Sequence, residues 1–371
     1  MTTPSLYPRT LATLLLLALT SFGFVRAGDL AEITPLTPEE SAHINASARG
    51  LAGLTADGDA PWESTITWKN YTQRIGEHWA YLDKVRLGAM RSWAGSELGG
   101  LDSRVVFYPF SGPDFIYADT LFPNSKILLM AGLEPIGSVP DLAKLQDSGK
   151  LPAYLGQVEA SLNTILAASF FKTKDMKSDF NNDLVDGLLP VLNVFIVRQG
   201  FTINSVQYVS LESDGTLHPR PSKAGANGVQ ITYDGDRAVL YFETDLGNDG
   251  LKSNPGYINL MRKFGPGVTY LKAASYLLYE DYFSSIRNAI LENSTGVVED
   301  DSGIPFKDFK PSLWDVEPFG NYTGPIGLFH EHYQPDLTDY YAKTPHSSLT
   351  FGSGYKFVPS VSSLLVAKKK S

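Results

Sequence analysis

Arg104-Val-Val-Phe-Tyr-Pro-Phe110 and Lys126-Ile-Leu-Leu-Met-Ala-Gly132 are two short apolar runs without polar alternation, and their reading decides the fold. A strand that is apolar at every position must be covered on both faces, as in a parallel sheet packed between helices. Pro113 to Leu121 reads as a helix between them, which makes the pair a βαβ unit. Val268-Thr-Tyr-Leu-Lys-Ala-Ala274 and Gly296-Val-Val-Glu299 repeat the arrangement around a helix at 279–292. The residues therefore predict an α/β fold, a Rossmann-like three-layer mixed sheet, mainly parallel.

Outward from these runs the pattern changes. Residues 201–211, 228–233 and 237–244 alternate apolar and polar side chains, and Asp234-Gly235 marks a turn, so an antiparallel hairpin joins the sheet. Helices are expected at 151–170 and 182–199. Thr37-Pro38-Glu39-Glu40 is a capping box that opens a helix to about Leu54, and a long amphipathic helix follows over 67–98. The expected organisation is a signal peptide at 1–27, a helical leader or cap at 28–100, the α/β core at 101–304, and an irregular, aromatic-rich wrapping segment with a basic tail at 305–371.

Arg9 followed by the apolar run Leu11 to Phe24, then Val25-Arg26-Ala27 with small residues at −3 and −1, reads as a secretory signal cleaved near Ala27. The run is shorter than the ~20 residues a membrane span needs. The expected product is an exported protein, periplasmic or secreted, with no stable membrane anchor. The chain has 371 residues, is 43% hydrophobic and carries a net charge of −9, which suits a globular protein with a large core. Loss of Arg9 and Arg26 makes the mature chain more acidic still, and no basic cluster lies inside the core. Nucleic acid is therefore not an expected partner. With no cysteine there is no disulfide, thiolate metal site or cysteine nucleophile.

Ligands of open α/β sheets bind beyond the carboxyl ends of the strands. The loops that leave those ends carry Ser111, Gly112 and Asp114, then Glu134, then Ser275 and Tyr276, then Asp300 and Asp301. These are the candidate ligand-binding residues. Buried together, such carboxylates need a cation, a polyol or raised pKa values. Ser111 is also the positional candidate for a hydrolase nucleophile, although no Gly-x-Ser-x-Gly elbow surrounds it.

Phe110-Ser-Gly-Pro-Asp114 after one strand and Glu134 after the next resemble the first βαβ unit of S-adenosylmethionine-dependent methyltransferases. The resemblance implies that Gly112 lies near a ligand and that Glu134 grips ribose hydroxyls. The chain departs from that pattern in having a single glycine in the loop and in Pro113, which has no amide hydrogen. The whole chain, including Ser275-Tyr-Leu-Leu278 and Asp300-Asp-Ser-Gly-Ile-Pro305, resembles an uncharacterised exported bacterial family, a resemblance that supplies no activity.

His330-Glu331-His332 is a second constellation. On a strand the two imidazoles share a face and, with Asp336 or His346, complete a divalent metal site; on a helix they diverge. Two functions follow. One is binding of a polar small molecule at the carboxyl edge of the sheet, on a degenerate cofactor-binding fold. The alternative is a periplasmic hydrolase using clustered carboxylates, with a metal at His330 and His332. The residues specify neither a cofactor nor an oligomeric state.

Overall fold

The computed structural model describes residues 30–31, 35–56, 60–170 and 185–370; the expected signal segment, 1–27, lies outside them. In chain order the elements are α1 (Pro38–Leu51), α2 (Ile66–Leu82), α3 (Gly88–Glu97), β1 (Val105–Tyr108), α4 (Phe115–Leu121), β2 (Ile127–Gly132), α5 (Leu142–Asp147), α6 (Leu151–Ala167) and α7 (Leu189–Arg198). Then come β3 (Ile203–Leu211), β4 (Leu217–Arg220), β5 (Gly228–Tyr233), β6 (Arg237–Glu243), α8 (Asn248–Ser253), α9 (Gly256–Phe264) and β7 (Gly267–Leu271). The last are α10 (Ser284–Asn293), β8 (Ser294–Asp300), β9 (Trp314–Gly320), α11 (Pro335–Lys343) and β10 (Ser363–Lys369). No helix among the described residues is long and apolar enough to cross a membrane.

The chain is a mixed α/β protein built on one ten-stranded sheet of order β4-β3-β5-β6-β2-β1-β7-β8-β10-β9. The five central strands, β6 to β8, run parallel. The two units at 104–132 and 268–299 therefore share one polarity. The expected predominance of parallel pairing needs correction: of the nine pairings, four are parallel and five antiparallel. Antiparallel strands extend the sheet on both sides; β3, β4 and β9 carry water-facing polar positions, while β5 and β10 are buried along almost their whole length. The hairpin β5–β6 turns at Asp234 and Gly235, both with positive φ, as its Asp-Gly signal predicts.

Helices cover both faces. Val106, Leu128 and Met130 point into a core shared with α1–α4, α6 and α7. The alternate residues Val105, Phe107, Ile127 and Leu129 point into a core shared with α9 and α10. Thr37 and Glu40 close the expected capping box reciprocally, at 3.2 and 2.8 Å. The amphipathic stretch is helical over 66–97 and widens into a π turn at Asp83–Leu87.

The segment from 305 onward differs from the irregular wrap its weak periodicity predicts. β9 and β10 complete the sheet, with β10 antiparallel between β8 and β9. The lysines of the basic tail are partly structural: Lys369 Nζ donates to the carbonyls of Leu291 and Glu292 at the end of α10, at 2.8 and 2.9 Å. A cation there offsets the negative end of the helix dipole.

Candidate functional site

Strand order reverses between β1 and β7: from β1 the chain proceeds to β2 on one side, and from β7 to β8 on the other. A small cleft opens at this point, on the carboxyl side of β1, β2 and β7. Its walls include Phe110, Leu133, Phe170 and Leu277, and its floor carries Asp114 and Lys272.

The loops around it are held by close backbone contacts. The amides of Ser111 and Gly112 and the Ser111 hydroxyl all donate to the Ala131 carbonyl, at 3.0, 3.3 and 3.1 Å. Gly112 takes φ 52°, a left-handed turn that favours glycine. A Cβ on Gly132 would fall 2.3 Å from Glu134 Oε2 and 3.2 Å from Gly112 Cα, so glycine lets the two loops meet. Glu134 is buried, and the Tyr241 hydroxyl donates to both its carbonyl (2.9 Å) and its Oε2 (3.2 Å).

Asp114 and Lys272 form an ion pair with side chains 3% and 1% exposed. Asp114 Oδ2 also accepts from the Tyr108 hydroxyl at 2.8 Å. The Lys272 ammonium lies 3.8 Å from the centre of the Tyr117 ring, and the Tyr117 hydroxyl accepts from Arg86 at 2.8 Å. Burial pushes the Asp114 carboxyl up and the Lys272 ammonium down; their mutual attraction opposes both shifts.

The sequence candidates thus divide into two groups. Ser111, Gly112, Asp114 and Glu134 share the cleft. Ser275, Tyr276, Asp300 and Asp301 lie behind it. Ser275 Oγ accepts from the Lys272 amide at 3.1 Å and shapes the turn after β7. Asp300 accepts from the amides of Ala273 (3.2 Å) and Ser302 (2.9 Å) and from the Ser302 hydroxyl (2.5 Å). Burial, then the neighbouring Asp301, raises its carboxyl from 3.8 to about 6. Asp301 pairs with Lys356 at 3.0 Å and accepts from the Tyr276 hydroxyl at 2.7 Å. The two acids thus have protein partners.

The metal expectation at His330 and His332 is not met. Among the described residues no three histidines or carboxylates are placed to hold an ion. Gly327–His332 is a 3-10 turn in which both imidazoles approach the Glu331 side chain between them, at 3.4 and 3.7 Å. His330 is exposed, while His332 packs 4.7 Å from the Tyr279 ring. His346 lies against Tyr341 and near the Thr344 carbonyl.

Lys272, Tyr108, Tyr241 and Lys356 are the site residues that sequence reasoning missed. Lys272 left one signal, as the lone charge inside the apolar run 268–274. No family model, curated protein or solved structure matches the chain.

Proposed function

We propose that this is an exported binding protein on a degenerate cofactor-binding sheet, taking a small hydroxylated molecule, a nucleoside or a sugar, in the cleft between Gly112 and Ala273. The position of the cleft carries the reading. In doubly wound sheets ligands settle where strand order reverses, because the loops on either side part there. Numbered along the chain, the strands from β6 to β9 run 3-2-1-4-5-7-6, with the seventh alone antiparallel to the rest. The 3-2-1-4-5 part is the order of the Rossmann class. The antiparallel seventh strand between fifth and sixth is also the order of the methyltransferase sheet that residues 104–134 resemble. Gly112 and Glu134 both line the cleft, which supports the reading.

Binding is favoured over methyl transfer, since the loop has one glycine and the Asp114–Lys272 pair fills the floor. A carboxylate hydrolase finds less support, because Asp300 and Asp301 are engaged by Ala273, Ser302, Tyr276 and Lys356.

Thermal unfolding with adenosine, S-adenosylhomocysteine, free pentoses and, separately, divalent cations tests the reading. A hydroxylated ligand at a hundredfold excess over its Kd stabilises by about 2.7 kcal/mol, and Glu134→Gln removes the shift. Stabilisation by cations alone overturns it in favour of the hydrolase.

A further inference from the structure

Lys272 invites a chemical role, because a buried ion pair is weak evidence of stability: apolar residues in its place are often neutral or better. The pair stands on the floor of a cleft, between the loop after β1 and the end of β7, at the reversal of strand order. We propose that Lys272 captures a small hydroxy-aldehyde or hydroxy-ketone as a Schiff base, with Asp114 carrying the proton. The proposal rests on the reading of this cleft as a ligand site and goes beyond it in naming a covalent step.

Three observations support it. The Lys272 nitrogen is shut off from bulk water, with the Asp114 carboxylate and the face of Tyr117 beside it. Desolvation lowers its pKa and Arg86 adds to that, while Asp114 and Asp300 oppose it. Desolvation is an ordinary means of freeing a lysine amine for nucleophilic attack, and the carboxylate beside it is placed to take its proton. Tyr108 holds Asp114 at 2.8 Å, so the acceptor is fixed in place. The walls beside the pair, at Phe110, Leu133 and Leu277, are apolar.

The step balances without an added reagent. The ammonium gives one proton to Asp114, and the free amine attacks the carbonyl carbon to form the C–N bond. A proton moves from nitrogen to oxygen, giving the carbinolamine. Asp114 then returns its proton to that hydroxyl, the C–O bond breaks, and water leaves. The protonated imine faces the Asp114 carboxylate, so one ion pair replaces another.

Folded protein treated with glycolaldehyde and cyanoborohydride at pH 7, followed by peptide mapping, tests the step. The expected result is reductive alkylation of Lys272 at least tenfold faster than of the exposed Lys126 and Lys144. Lys272→Arg loses that adduct. Tyr108→Phe and Asp114→Asn slow it tenfold or more, and either variant serves should the other fail to fold. As pH falls from 9 to 7, surface labelling collapses while Lys272 labelling persists. Label on surface lysines with Lys272 unmodified overturns the proposal. The thermal shift with nucleosides, which have no free carbonyl, involves no adduct, so failure of the binding reading is seen separately.

Discussion

At Ala273 the chain takes φ 56° immediately after Lys272, and its amide donates to Asp300 at 3.2 Å. Left-handed geometry costs a residue with a Cβ about 1–2 kcal/mol. Ala273→Gly relieves that strain and loses ~0.5–1 kcal/mol to unfolded-state entropy. A net stabilisation of roughly 0.5–1 kcal/mol is expected in urea unfolding. Gly354, with φ 57°, faces the same carboxylate: a Cβ there would lie 1.9 Å from Asp300 Oδ2. Gly354→Ala should destabilise by about 2–4 kcal/mol, measured the same way. Asp300 itself sets a pH dependence. Its carboxyl is raised from 3.8 to about 6, so between those values the folded chain keeps a proton that the unfolded chain releases. Stability contributed by this site therefore falls as pH rises through that window, by roughly 3 kcal/mol in all. The difference between parent and Asp300→Asn unfolding energies, measured at pH 4 and pH 7, should shrink by that order. An unchanged difference would show that Asp300 does not titrate there. These residue-scale facts were only half legible in the sequence. The rim positions of Ser111, Asp114 and Glu134 follow from the polarity of parallel strands. That Asp300 turns away toward Gly354 follows from tertiary contacts no local pattern contains.

Legibility at the scale of elements tracks burial pattern. β1, β2 and β7 are buried at essentially every position, and their runs read as continuous apolar strands. The capping box at Thr37 is equally readable, and Thr37→Ala should cost the protein about 1 kcal/mol in thermal unfolding. β9 was illegible because it mixes Asp315, Glu317 and Pro318 with buried Trp314 and Phe319. Its proline and charges suit an edge strand, where one side faces water. β10 was illegible for a different reason. Its lysines read as a solvated tail, yet Lys369 reaches back to the end of α10 and Lys370 pairs with Asp315 at 3.0 Å. Leu365→Asp, in the middle of β10, should unfold this side of the sheet, lowering the melting temperature by several degrees or more.

For the whole molecule, the proposed export makes a direct prediction. Mass spectrometry of the periplasmic or secreted form should find Gly28, or a residue close to it, as the N-terminus. A soluble cytosolic form that keeps Met1 would remove the basis for export.

The place of β10 also bears on how the sheet is completed during synthesis. It is the last of the ten strands to be made, yet it lies inside the sheet, between β8 and β9. Among the described residues β9 pairs with no other strand, so its ladder stays open while residues 321–362 are added. At ~5–20 residues per second that wait lasts several seconds. A chain that cannot seal its sheet until so late stays open to unfolded-chain carriers throughout its elongation. For the export proposed above, that delay is an advantage built into strand order alone.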